Sequence, residues 1–292
     1  MVRLDERVRA GAAGLPVLLR LRSAEAIVAA NDRPPEAEAG QADDDDSRAH
    51  RAVPDGDAAF AALLGWWYAP SAREFIVDDR HLRRVALALE SLADRVRSGC
   101  ELTAGTLDEG FRAAALDTEP LPDLLDASLS VAVHEQWPAL LVSADLSAGQ
   151  CGRVRTLSAS IARAVAPLAS GLTTDVFVVA PVADDAAGAL HAIAREARAI
   201  RRRVDAYLED CRRAVELCGT FGRGGPSAAA LVQLLAGRPA VTVAGAADAL
   251  HLTAPTAGAA VDRLMNAGLL REITGRGRDR VFVYTPAVTL AG

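Results

Sequence analysis

The sequence predicts a mainly α-helical protein that ends in a small module of short helices and strands. Three observations lead there. Apolar residues recur at helical spacing in most segments between loop-like stretches. Apolar residues fill 51% of the 292 positions but aromatics only 4%, so a sizeable core must be built from Ala, Leu and Val. β-like runs are short and confined to residues 73–77, 241–243 and 269–284. No run reaches the roughly 18–20 continuous apolar residues of a membrane helix. The opening Met1-Val2-Arg3-Leu4-Asp5-Glu6 lacks the apolar stretch of a signal peptide. A cytoplasmic protein without membrane contact is the expectation.

Residues 3–30 have Leu4, Val8, Leu15, Leu18, Leu19, Ile27 and Val28 near helical spacing, with a break expected at Gly14-Leu15-Pro16. Residues 31–57 lose this periodicity. They carry nine acids and three Arg, a net of −6, together with several Pro and Gly, and read as a disordered acidic linker. A helix over 58–68 ends in Trp66-Trp67-Tyr68. A short strand is expected at 73–77, then a helix over 79–97 with Leu82, Val85, Leu89, Leu92 and Val96 on one face. Residues 122–137 and 153–169 read as two further helices around the loop 142–152, closing a core that spans 58–186.

Residues 187–218 form the longest helical pattern. Leu190, Ile193, Ala197, Ile200, Val204, Tyr207 and Cys211 step by three and four, a heptad-like seam. Such a seam serves equally as a homodimer interface or as a face docked on its own bundle. Cys211 and Cys218 share nearly that face, and neither they nor Cys100 and Cys151 form a Cys-x-x-Cys pair. Buried thiols are expected rather than a structural zinc site. Gly219 to Pro226 reads as a flexible connector, with the linker at 219–225.

All 32 basic residues are Arg, so their abundance is not by itself a signal, but their placement is. Residues 219–292 hold seven Arg and four acids, a net of +3, whereas residues 1–218 carry −9. Within the module (226–292), helix 226–236 is followed by strand 241–243, helix 244–250, a tight turn at His251-Leu252-Thr253, helix 254–267 and strands 269–273 and 281–284. A Gly- and Arg-rich tip, Thr274-Gly275-Arg276-Gly277-Arg278-Asp279-Arg280, joins those strands. This is the element order of a winged helix-turn-helix. The second helix of such a motif enters the major groove by its N-terminal end. Thr253 and Thr256 are therefore candidate base or phosphate contacts, Arg263 a candidate phosphate contact, and Arg276, Arg278 and Arg280 candidate contacts to the minor groove or flanking backbone. Double-stranded DNA is the expected partner, and a homodimer the expected assembly. Modules of this order also dock onto proteins, and the presumed recognition helix has one Arg and much Ala.

The stretch Pro239–Tyr284, with Val241-Thr242-Val243-Ala244 and the run Leu269 to Tyr284, resembles the winged-helix domain at the C-terminus of many Fic-family proteins over about 45 residues. Arg3-Leu4-Asp5 with Leu18, Leu19 and Glu25 to Ala29 looks like the N-terminal Fic-associated helices (1–30). Arg73-Glu74-Phe75-Ile76-Val77 and the helix after it resemble the family's flap strand and its next helix. The resemblance implies a Fic-like helical bundle with a short β flap, followed by the winged module. Fic proteins transfer AMP from ATP to a hydroxyl through His-x-Phe-x-(Asp/Glu)-Gly-Asn-Gly-(Arg/Lys), whose His is the general base and whose acid holds magnesium. Here His134-Glu135-Gln136-Trp137 resembles the helix before that motif.

Carried on without a gap, the motif puts Leu141 at the catalytic His, Ser143 at the Phe and Asp145 at the magnesium acid. A longer turn, Leu146 to Arg153, replaces Gly-Asn-Gly-Arg. Leu cannot accept a proton, so ordinary AMP transfer should be absent and no catalytic residue is assigned. The family's inhibitory motif is not recognisable in Ser23–Asn31. Asp145 as a metal ligand, and Gly149, Gly152 and Arg153 as nucleotide contacts, remain candidates only if the pocket is retained, with ATP and Mg as its ligands. Otherwise no cofactor is expected. The sequence thus favours a DNA-binding transcriptional regulator on a degenerate Fic-like scaffold. A divergent AMP transferase acting on protein hydroxyls, or a protein-interaction scaffold, stands as the alternative.

Overall fold

The computed structural model describes residues 14–32, 56–76, 80–102, 104–116, 157–169, 171, 173–176 and 186–290. It is mainly helical with one small sheet. Helix α1 (Leu15–Asp32) begins at the expected break, with Pro16 in its first turn, where a missing N–H costs nothing. Helix α2 (Gly56–Tyr68) and a 3-10 turn (Pro70–Phe75) precede α3 (Arg80–Arg97), α4 (Ala104–Ala113) and α5 (Leu157–Ala169). Along α3 the buried residues Leu82, Val85, Ala86, Leu89, Leu92 and Ala93 follow the 3.6-residue period. That stripe packs on α1, α4 and α5 and makes the core of the body.

A charge network runs from the core, where Arg20 and Asp175 are buried, to the surface at Glu90 and Arg97. Arg20 of α1 is 3% exposed and forms ion pairs with Glu90 of α3 and, at 3.4 Å, with Asp175. Asp175 also accepts from Arg97 Nη2 at 2.6 Å and from the Val176 N–H at 2.7 Å. Burial pushes both carboxyls above their usual range, and the Arg20 guanidinium opposes that shift.

The strand expected at 73–77 is not formed over its described part. Residues 73–75 belong to the 3-10 turn, and Ile76 alone is extended. The reason is local. Pro70 starts the turn, and Arg73 folds back on α2, its guanidinium 4.4 Å from the Trp66 ring centroid and its Nε donating to the Trp66 carbonyl at 2.9 Å. No strand pairs with this segment among the described residues, so the β flap of the expected bundle is replaced there by a turn.

The long helix α6 (Ala186–Cys218) runs for about 50 Å at 1.5 Å per residue. From Ala197 onward its seam is occupied within the chain. Ala197, Ile200, Val204, Tyr207, Ala214 and Cys218 are buried, and the helix packs on α7 (Gly225–Gly237) and on the C-terminal helix. A homodimer would therefore need another surface than this part of the seam. The expected flexible connector is instead a second 3-10 turn (Gly219–Gly224) lying against α6, α7 and the helix at 254–266.

After α7 come β1 (Ala240–Thr242), α8 (Val243–Leu250), α9 (Ala254–Asn266), β2 (Leu270–Glu272), β3 (Val281–Tyr284) and α10 (Thr285–Thr289), a short helix absent from the sequence expectation. The sheet is antiparallel in the order β1-β3-β2, pairing Val241 with Phe282 and Arg271 with Val283. All four residues of β3 are buried because helices cover both faces of this central strand. Helix α2 packs directly on the sheet. A Cβ on Gly65 would meet Ile273 Cδ1 at 2.4 Å, so glycine permits this close approach. Tyr207 ties α6 to the same region, donating to the Ala236 carbonyl at 2.9 Å and meeting the Tyr284 ring edge-on at 6.4 Å.

Candidate nucleic-acid interface

The turn between α8 and α9 is built from three local devices. Thr242 caps α8, its hydroxyl accepting from the Gly245 N–H at 3.0 Å. His251 ends α8 in the left-handed region (φ 54°, ψ 40°), and the Leu252 N–H reaches back to the Ala247 carbonyl at 2.9 Å. Thr253 then caps α9, its Oγ accepting from the Thr256 N–H at 3.4 Å, with Pro255 in the first turn.

Thr253 and Thr256 are brought together. Both are exposed, and their hydroxyl oxygens lie 2.9 Å apart. One hydroxyl hydrogen serves that bond, whichever oxygen donates. The accepting hydroxyl keeps its own O–H to donate outward, and both oxygens keep lone pairs. This pair can meet a phosphate oxygen or a base edge at the positive end of α9.

Arg263 lies elsewhere. Its side chain is half-buried against the second 3-10 turn, where a Cβ on Gly224 would meet its Cζ at 2.3 Å. The guanidinium lies over Gly224, where a larger residue would displace it. The exposed residues of α9 are Ala254, Pro255, Thr256, Asp262 and Asn266, so that surface offers short side chains and one acid.

The β2–β3 loop is organised by Glu272, which sequence inspection did not single out. Its Oε1 accepts from the Thr274 hydroxyl and from the Arg276 N–H, both at 3.2 Å, and its Oε2 pairs with Arg280 Nη1 at 3.3 Å. Thr274 Oγ in turn accepts from the Val281 N–H at 3.2 Å. The Arg280 guanidinium also sits 5.0 Å from the Phe282 ring centroid. Arg280 thus holds the hairpin, and Arg276 and Arg278 are exposed at its tip. The signal for Glu272 was available in the register. Glu272 opposes Phe282, which leaves it diagonal to Arg280, within reach of a long side chain.

Away from this surface, burial pushes the Cys211 and Cys218 thiols up, which disfavours the thiolate. No group of three or more His, Cys, Asp and Glu suited to a metal occurs among the described residues. Among them, no helix is long and apolar enough to cross a membrane. Leu141, Asp145, Gly149, Gly152 and Arg153, with His134, lie outside the described residues, as does Cys151.

A scan against models of known protein families finds no match to this chain. No curated protein matches it either.

Proposed function

We propose that residues 225–290 form a winged helix-turn-helix that binds double-stranded DNA, and that the protein is a transcriptional regulator. One observation carries this reading. A capped helix offers a Thr253–Thr256 hydroxyl pair at its exposed start, in a module whose hairpin holds Arg276 and Arg278 at its tip. The helix start supplies hydrogen-bonding groups for the major groove, and the hairpin supplies cations for phosphate. The helical body is the regulatory frame. Its Fic-like character is part of the proposal, with AMP transfer lost because Leu141 stands where the family's base would be.

The test is a gel shift of the full chain on its own upstream intergenic DNA, with random duplex as competitor. A specific shift that weakens at least tenfold in the Arg276→Ala, Arg278→Ala variant is expected. An unchanged shift in that variant would remove the hairpin from the interface.

A second use, docking onto a protein, is favoured by α9, whose exposed residues include Asp262 but no Arg. It predicts no retardation of any duplex at low salt, and a partner that survives nuclease treatment on affinity purification.

A further inference from the structure

The most basic stretch of α6 lies outside the surface described so far. Residues 195–203 hold five Arg and one Glu. At roughly 100° per residue, Arg195, Arg198 and Arg202 fall within an arc of about 60°. The buried seam residues Ala197, Ile200 and Val204 are centred on nearly the opposite side of the helix, as the 3.6-residue period requires. All three arginines are exposed.

The two halves of the helix treat charge differently. Arg212 and Arg213 pair with Glu209, and Arg213 also with Asp210, so the C-terminal half is neutralised along its own surface. Arg195, Arg198 and Arg202 form no ion pair among the described residues. Arg198 donates instead to the Ala194 carbonyl of its own helix at 3.0 Å. Three like charges within roughly 10 Å of helix repel one another, an arrangement that destabilises an isolated helix. A polyanion relieves that cost. Duplex DNA presents about one charge per 1.7 Å of axis, so a stripe of this length meets several phosphates. Along the axis Arg202 is roughly 8 Å from Tyr207, which contacts Ala236 and Tyr284, and the stripe lies on the face of α6 turned away from that contact.

We infer that Arg195, Arg198 and Arg202 form a second contact, to the phosphate backbone of duplex DNA. This rests on the DNA-binding reading above. The partner is assigned from charge: the three guanidinium groups suit phosphate oxygens, and the exposed Asp205 bounds the stripe one turn further on.

The experiment is fluorescence anisotropy of the full chain on a labelled 30-base-pair random duplex, titrated at several salt concentrations. Arg195→Gln, Arg198→Gln and Arg202→Gln together should reduce the slope of log K against log salt by about 3, near 0.9 for each phosphate no longer neutralised. The triple Lys variant should keep the wild-type slope, because the contact requires charge and not guanidinium geometry. If the wild type binds and the Gln variant keeps both affinity and slope, the stripe is not a contact and the module alone binds DNA. If the wild type itself binds no duplex at about 50 mM salt, where nonspecific contacts to phosphate are strong, the DNA-binding reading fails and the stripe with it.

Discussion

The helical body and the C-terminal module place their charges in opposite ways. In the body, Arg20, Glu90, Asp175 and Arg97 tie α1, α3 and the segment at 173–176 through the core. In the module the core is apolar, from Leu231 and Val261 to all four residues of β3, and the arginines lie at or near the surface. A buried ion cluster holds elements in one arrangement but tolerates the loss of a partner poorly. A surface charge contributes little to stability and remains available to a ligand. The body is thus built to keep its own geometry, and the module to present charge to something else.

The strongest way to break this contrast is at Arg20. Replacing Arg20 with Met leaves the half-buried Glu90 without this cation and the buried Asp175 with Arg97 alone, and should cost about 2–3 kcal/mol. Urea unfolding followed by circular dichroism checks it, and a cost below about 1 kcal/mol would mean that water already screens the cluster. The same variant sharpens the contrast by pH. The folded-state pKa values of Glu90 and Asp175 are raised by burial, so the folded state holds more protons than the unfolded state just above the ordinary carboxylate range. Their unfavourable contribution is full above the raised values and is relieved as pH falls through them. With Arg20 gone the shifts grow, so the stability deficit of the variant should narrow between neutral pH and about pH 4.5.

In the module, Thr253→Ala removes the cap of α9 and should cost about 1 kcal/mol, measured in the same way. His251→Gly relieves a left-handed residue that is not glycine. It should be neutral or gain up to about 1 kcal/mol, the gain offset by the entropy of a freer unfolded chain. The smallest effect on stability belongs to Arg276→Ala with Arg278→Ala, expected within about 0.5 kcal/mol of wild type. A large loss of stability there would place these arginines with Arg280, as parts of the hairpin rather than of an interface.

The element order of the module was legible from residue pattern because its signals are local. Thr242 and Thr253 stand one residue before apolar helical runs, and the loop between the strands is punctuated by Gly275 and Gly277. Residues 73–77 read as a strand because Phe75-Ile76-Val77 has β character, whereas 73–75 belong to a turn. The contact that overrides it, Arg73 on Trp66, depends on how the chain folds back. The 219–224 turn was misread for the opposite reason. Its glycines signal freedom, which Gly222 uses at φ 60°, yet the turn packs against α6, α7 and α9. The charge network was invisible because Arg20, Glu90 and Asp175 are each ordinary in sequence and meet only through packing. Of the candidate contacts, Thr253 and Thr256 share one site, whereas Arg263 and Arg280 are engaged with the module itself.

The most direct test of this division of roles is an amide chemical-shift map of the full chain titrated with a 20-base-pair duplex at low salt. Changes at residues 253–256 and 275–279, joined by 195–202 of α6, with α1 and α3 unperturbed, are predicted. Changes confined to the body, or none at all, would contradict it.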